Sequence, residues 1–301
     1  MLIGIIANIT KENVFSVVSS FIKELKRKKL DYLLTKTLME DKNKLKIELD
    51  EDFLSNDEEI YEKSDLIISI GGDGTMLSTA FHALSYDKPV LGLNIGKLGF
   101  LAEVDISQMD IIIEDIKGGN YQIQKRMVLT ADCNTYAVEK LIAINDIVID
   151  KSGWPKMIEI TAQVDGEYVT TFSADGVIVA TPIGSTGYSL STGGPVVSPS
   201  AGAITLSPIS PHSLTMRPLV LSSEQEIVIK ADSPHNEIQI SCDGQRVYHI
   251  PPPLEIKIVK SAKPLKLVHT SVTTYYETLR NKLFWGIDVR RSKINNGGND
   301  L

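Results

Sequence analysis

Residues 66–95 read LIISIGGDGTMLSTAFHALSYDKPVLGLNI. Two apolar runs, LIISI and PVLGLNI, flank a segment in which Leu77, Phe81 and Leu84 share one helical stripe. Strand, helix, strand at this spacing is a βαβ unit, and such units build parallel sheets. The turn between the first strand and the helix is GGDGT, three glycines around Asp73. A structural turn needs one glycine or an Asp-Gly pair, so the carboxylate calls for a reason. Backbone amides and the helix dipole converge on an anion at such a place. A carboxylate there would repel phosphate unless a metal bridges the two or an incoming hydroxyl needs a partner, and both are features of phosphoryl transfer. The alternative is a tight turn with Asp73 as a helix cap.

Working outward, LIGIIAN at the N-terminus reads as a strand, Thr10 as an N-cap, and Val14, Val17, Phe21 and Leu25 as one face of a helix. Residues 1–102 therefore read as a Rossmann-like α/β domain with a parallel sheet. Beyond about residue 120 the pattern becomes short alternating strands, with Asp-Gly pairs in VDGE (164–167) and CDGQ (242–245) as hairpin signals. Residues 103–270 thus read as a β-rich, sandwich-like domain. TTYYETLRNKLFW (273–285) turns helical again, with Tyr275, Leu279 and Leu283 on one stripe. The segment 271–301 is expected to pack back on the N-terminal domain. Two lobes with a cleft between them are expected, a common place for a small-molecule site.

Composition narrows the function classes. The 301 residues carry 31 basic and 38 acidic side chains, a formal net charge of -7. That argues against a broad nucleic-acid surface but leaves room for a small anionic substrate. No apolar run approaches the roughly 20 residues that span a bilayer, and MLIGIIANI lacks a basic leader and cleavage site. Two cysteines, Cys133 and Cys242, make no disulfide framework or metal spacing, so a reducing, cytoplasmic setting is expected. DEEIYEKSD and KELKRKK read as solvated faces, and the tail NNGGNDL (295–301) as disordered. No triad and no zinc spacing emerges; His82 reads as a surface residue and His212 as structural.

Two further segments carry chemistry. AINDIVID (143–150) places Asn145 and Asp146 side by side in an apolar strand, where alternation sends them to opposite faces unless the strand ends or bulges. At a strand end they could grip sugar hydroxyls; otherwise the strand merely ends in polar residues. The second is SADGVIVATPIGSTGYSLSTGGPVVSPSAGA (173–203). Its small and hydroxyl-bearing residues can shape a close-fitting loop, with Tyr188 as a stacking surface for a base, or simply connect strands. GGDGT is neither a Walker A loop nor G-x-G-x-x-G.

Taken together, GGDGTML, LGLNIGKLGFL, AINDIVID, ADGVIVATPIGSTGYSLSTGGPVVSP, SPISPHSLTMRPLVL, SCDGQ and YETLRNKLFW resemble the NAD kinase family of prokaryotic type, in the family's order. GGDGT alone also occurs in diacylglycerol and sphingosine kinases and in phosphofructokinases; the ordered set is specific. The resemblance implies transfer of the γ-phosphoryl group of ATP to the 2'-hydroxyl of the adenosine ribose of NAD, giving NADP, with Mg²⁺ or another divalent cation accompanying ATP. It implies Asp73 as proton acceptor, with Gly74 beside it, and Asn145 and Asp146 on ribose hydroxyls. Asp175, Thr186, Gly187, Tyr188 and Ser191 should line the NAD site, with Lys156, Ser173 and Gln245 at aligned positions. Asp146 stands where Glu is more usual, Gly187 where Ala is common and Ile183 where Thr is common. The resemblance assigns no protein ligand to the metal. It implies a homo-oligomer, and leaves Lys97, Arg217 and Arg246 as candidates for the donor phosphates. Inorganic polyphosphate as donor, NADH as acceptor, and feedback by NADP stay open. So do three alternatives: a lipid kinase sharing GGDGT, a dehydrogenase and a non-catalytic nucleotide sensor.

Overall fold

The structure, a computed structural model, describes residues 1–11, 13–39, 44–45, 53–95, 99–102, 104–134, 140–272 and 274–284. Lys97 and the tail 295–301 lie outside the described residues. The chain forms two compact units: residues 1–79, 90–123 and 268–301 make the first, and residues 80–89 and 124–267 the second.

In the first unit the strands are β1 (Leu2–Ala7), β2 (Asp31–Thr35), β3 (Leu54–Ser55), β4 (Leu66–Gly71), β5 (Val90–Asn94) and β6 (Val104–Asp105). They pair in parallel in the order β3-β2-β1-β4-β5, with β6 also on β5. Helices α1 (Val14–Lys28), α2 (Asp57–Lys63) and α3 (Asp73–Ser85) lie between them in the chain, and α4 (Met109–Gly118) follows β6. LIISIG and VLGLN are buried along their whole length, as parallel strands covered on both faces must be. Val14, Phe21 and Leu25 of α1 are buried with Phe15, Val18 and Ile22, and Val17 is half-buried. Thr10 is not the cap: the helix starts at Val14 after Asn13, and Thr10 donates through its N–H and hydroxyl to Asn8 Oδ1. DEEIYEK is more than a solvated face, because α2 buries Ile60 and Tyr61 and is capped by Asn56.

The second unit holds two antiparallel sheets. One runs β15 (Leu219–Ser222), β14 (Ala203–Ile209), β13 (Gly176–Ala180), β10 (Asp146–Asp150), β17 (Ile238–Cys242), β18 (Arg246–Ile250). The other runs β12 (Glu167–Ala174), β11 (Ile158–Val164), β16 (Ile227–Asp232), β19 (Leu254–Lys260), β8 (Leu129–Cys133), β9 (Leu141–Ala143). Alternating residues of both, among them Leu129, Ile147, Ile149, Ile160, Val177, Ile229, Ile240 and Ile256, form one core. Both Asp-Gly pairs make the expected hairpins, with φ of 50° and 81° at Asp165 and Gly166 and of 57° and 64° at Asp243 and Gly244. The unit boundaries fall inside α3, just before β5, inside β7 (Gln122–Arg126) and inside β20 (Leu265–His269). The helix that follows, Tyr275–Leu283, belongs to the first unit. Thr274 and Glu277 cap it reciprocally, and Leu279 is buried in it.

Candidate active site

The strand order of the first unit reverses between β1 and β4. In open α/β sheets the crevice outside the carboxyl ends of strands at such a switch point is where ligands bind. GGDGT leaves the carboxyl end of β4, and Asn8 leaves that of β1, where its amide nitrogen donates to Thr75 Oγ1 at 3.2 Å. Gly72 directly precedes α3, its carbonyl accepting from the Met76 N–H at 2.9 Å. Gly71 has no room for a side chain, since a Cβ there would meet the Thr75 hydroxyl at 2.4 Å.

Asp73 is the first residue of α3, yet its carboxylate reaches away from that helix. Oδ2 accepts the Phe100 N–H at 2.9 Å, and Oδ1 accepts those of Leu101 and Ala102 at 3.1 and 3.0 Å. Lys282, late in the C-terminal helix, brings its ammonium to 3.5 Å from Oδ2 and lies 4.6 Å from the Phe100 ring centroid. The carboxylate is therefore oriented by a loop 27–29 residues downstream and by a cation 209 residues downstream. This geometry disfavours the reading of Asp73 as a helix cap.

In the second unit AINDIVID is not one strand. β9 ends at Ala143 in one sheet and β10 begins at Asp146 in the other, so Ile144 and Asn145 are the crossing between sheets. Thr181, from the TPIGST turn, holds the crossing by its carbonyls: its N–H donates to Asn145 O at 2.8 Å and its hydroxyl to Ile144 O at 2.7 Å. Gly184 lets that turn close, because a Cβ there would lie 2.0 Å from Asn145 O. Asn145 Oδ1 is buried without a hydrogen-bond partner, a costly state that a ligand donor would relieve. Burial, reinforced by the Asp243 charge, pushes the Asp146 carboxyl up to about 7, so near neutrality this group can donate as well as accept.

Asp175 is paired with Lys151 at 2.7 Å. Tyr188 opens a single helical turn, Tyr188–Ser191, with its side chain half exposed. Burial and the charges of Asp150, Asp175 and Asp146 raise its phenol. The hydroxyls of Thr186 and Ser191 donate to Ile183 O and Tyr188 O, which leaves their lone pairs as acceptors. Gly187, Lys156, Ser173 and Gln245 are exposed, as is Gly74 in the first unit. Arg246 pairs with Asp243 at 2.6 Å, and Arg217 donates to Leu214 O and Met216 O. Residue pattern does not mark Lys282, Lys151, Thr181 or Asp243 as site residues, since nothing local in YETLRNKLFW, VIDK, ATPIG or SCDGQ shows a side chain reaching a distant segment.

Comparison with known proteins converges. Residues 3–121 match the ATP-NAD kinase N-terminal domain and residues 144–270 the ATP-NAD kinase C-terminal domain. The NAD kinase of Chlorobium phaeovibrioides is 36% identical over 287 residues, 95% of this chain and 99% of that protein. That of Thermoanaerobacter sp. is 36% identical over 283 residues, 93% and 98% of the two chains. Among solved structures, yeast NADH kinase complexed with NADH superposes with a TM-score of 0.84 at 26% identity, covering 95% of this chain and 88% of that one. An NAD kinase from Archaeoglobus fulgidus in complex with ATP gives 0.72 at 27% identity, covering 94% and 99%. Matches to both halves, rather than to GGDGT alone, separate this chain from lipid kinases. The chain belongs to the NAD kinase family.

Proposed function

We propose that Asp73 orients the adenosine 2'-hydroxyl of NAD and accepts its proton while that oxygen attacks the γ-phosphorus of ATP. The observation that carries this reading is the carboxylate held by three amides at the switch point of the sheet instead of capping its own helix. The bond from O2' to phosphorus forms, the bond from phosphorus to the β,γ-bridging oxygen breaks, and ADP leaves as NADP appears. Carboxylates are far weaker bases than an alkoxide, and the amides engage both oxygens. Proton acceptance is therefore late, after the forming bond has made the hydroxyl acidic, as a loose phosphoryl-transfer transition state allows.

Asn145 and Asp146 are assigned to the ribose hydroxyls, with the unpartnered Asn145 Oδ1 as acceptor. Tyr188 offers its exposed ring to a base, and Asp175, Thr186, Gly187, Ser191, Lys156, Ser173, Gln245 and Gly74 line the substrates. Among the described residues no cluster of three or more His, Cys, Asp or Glu is built to hold a metal; Mg²⁺ is assigned to the donor as MgATP. A cytoplasmic setting is supported by Cys133 and Cys242, which form no disulfide. No helix of the described residues is long and apolar enough to cross a membrane. A homo-oligomer is supported by Leu219 and Val220, exposed on the edge strand β15. Incubation with NAD, ATP and Mg²⁺, followed by chromatographic separation of NADP from NAD, tests the activity; absence of NADP overturns it.

A further inference from the structure

The Asp-Gly turn of CDGQ raises a question that turn chemistry does not answer. Asp243 sits at φ 57°, a conformation Asn adopts as readily, so the hairpin alone does not call for a carboxylate. Its side chain is nonetheless fully buried. Oδ1 accepts the N–H groups of Ile144 at 2.9 Å, Asn145 at 2.6 Å and Asp146 at 3.4 Å, and Oδ2 lies 3.2 Å from the Ile144 N–H. These amides belong to the crossing between the two sheets. The buried charge is compensated by Arg246, whose Nη2 donates to Asp243 Oδ2 at 2.6 Å and to Ile142 O at 2.9 Å. The guanidinium lies 3.8 Å from the Phe81 ring centroid, which shields it.

We propose that Asp243, held by Arg246, is a positioning residue for NAD: it aims Asn145 and Asp146 by gripping the amides of the crossing while Thr181 grips its carbonyls. Pinned through both its N–H and its C=O, Asn145 has little freedom in the direction of its Cα–Cβ bond. The carboxylate suits this task because it only accepts, and can take several amides and a guanidinium at once. An asparagine in its place would keep the turn but aim two N–H donors at groups that also donate. The proposal rests on the reading that Asn145 and Asp146 hold the NAD ribose.

The test compares Asp243→Asn, Arg246→Lys and Asn145→Ala in the full chain, by steady-state kinetics in each substrate, NAD calorimetry and thermal melting. The expected result for Asp243→Asn is a rise of about tenfold in KM and Kd for NAD, the scale of one charge-assisted hydrogen bond, with KM for ATP unchanged. Arg246→Lys should move the same constants in the same direction by less, and it reports if Asp243→Asn does not fold. A merely structural role would lower the melting temperature or the active fraction and leave KM for NAD untouched; that outcome in the folded variants overturns the proposal. Asn145→Ala separates the two claims. If it weakens NAD while the Asp243 and Arg246 variants do not, the positioning role fails; if it leaves NAD binding intact, the ribose reading itself fails.

Discussion

A Cβ at Gly99 would lie 1.9 Å from Asp73 Oδ1. The absent side chain is thus the space that the carboxylate occupies, and Gly99 and Asp73 form one steric unit although the sheet separates them in sequence. Gly99→Ala must expel the carboxylate or shift the loop that carries the Phe100, Leu101 and Ala102 amides. Its kcat is expected to fall at least about tenfold, the cost of misplacing a reacting group. Loops tolerate such changes, so the melting temperature should move little; a kinetically normal Gly99→Ala would show that the amide nest is dispensable.

Asp73→Asn keeps the size of the side chain and removes its proton affinity. Turnover should fall about 10²- to 10⁴-fold, the range for loss of a general base. NAD affinity measured by calorimetry should stay within about threefold, because a proton acceptor matters most in the transition state. Near-normal turnover would remove Asp73 from the role.

Asp146 makes a pH prediction whose sign is fixed by its environment. Its carboxyl is raised from 3.8 to about 7 by burial first and by Asp243 second. The folded state therefore binds the extra proton between those values, and the associated stability is complete below about pH 4 and lost as pH rises through about 7. The substrate-free protein should lose stability between about pH 4 and 7, beyond what its other groups contribute. Asp146→Asn should flatten that slope, as thermal melts of the two proteins across the range will show.

Lys282 should matter to turnover and hardly to stability. Its side chain and that of Asp73 are 30% and 34% exposed, and ion pairs in that setting stabilise by no more than about 1 kcal/mol. Lys282→Met should melt within a few degrees of the parent (about 1 kcal/mol or less). Its kcat should fall several-fold because the carboxylate would face the donor phosphates without its cation. Unchanged kinetics in ATP would assign the lysine to surface charge alone.

Legibility in the sequence followed range. The βαβ unit at 66–95 and the hairpins at Asp165-Gly166 and Asp243-Gly244 were readable, because periodicity and φ preference are local properties. GGDGT and AINDIVID could be marked as chemistry for the same reason. The polar pair Asn145–Asp146 allowed for a strand end, but the passage between sheets at Ile144–Asn145 was not legible: such a crossing keeps its apolar texture, and only the partners reveal it. Thr10 is not the cap because the helix begins only at Val14, after Asn13, too far along for the Thr10 hydroxyl to accept its first N–H groups. The grips on Asp73 and on the 144–146 amides come from residues 27 to 209 positions away, and no pattern within one segment encodes such an encounter.

Lys282 also gives the site a history. The carboxylate and its amide nest are translated early, whereas the ammonium that faces them arrives 209 residues later. A polypeptide still on the ribosome, or one trimmed from its C-terminus past this helix, has the acidic group without its counterion. Under the proposed mechanism such a chain would turn over several-fold more slowly even with every GGDGT residue present.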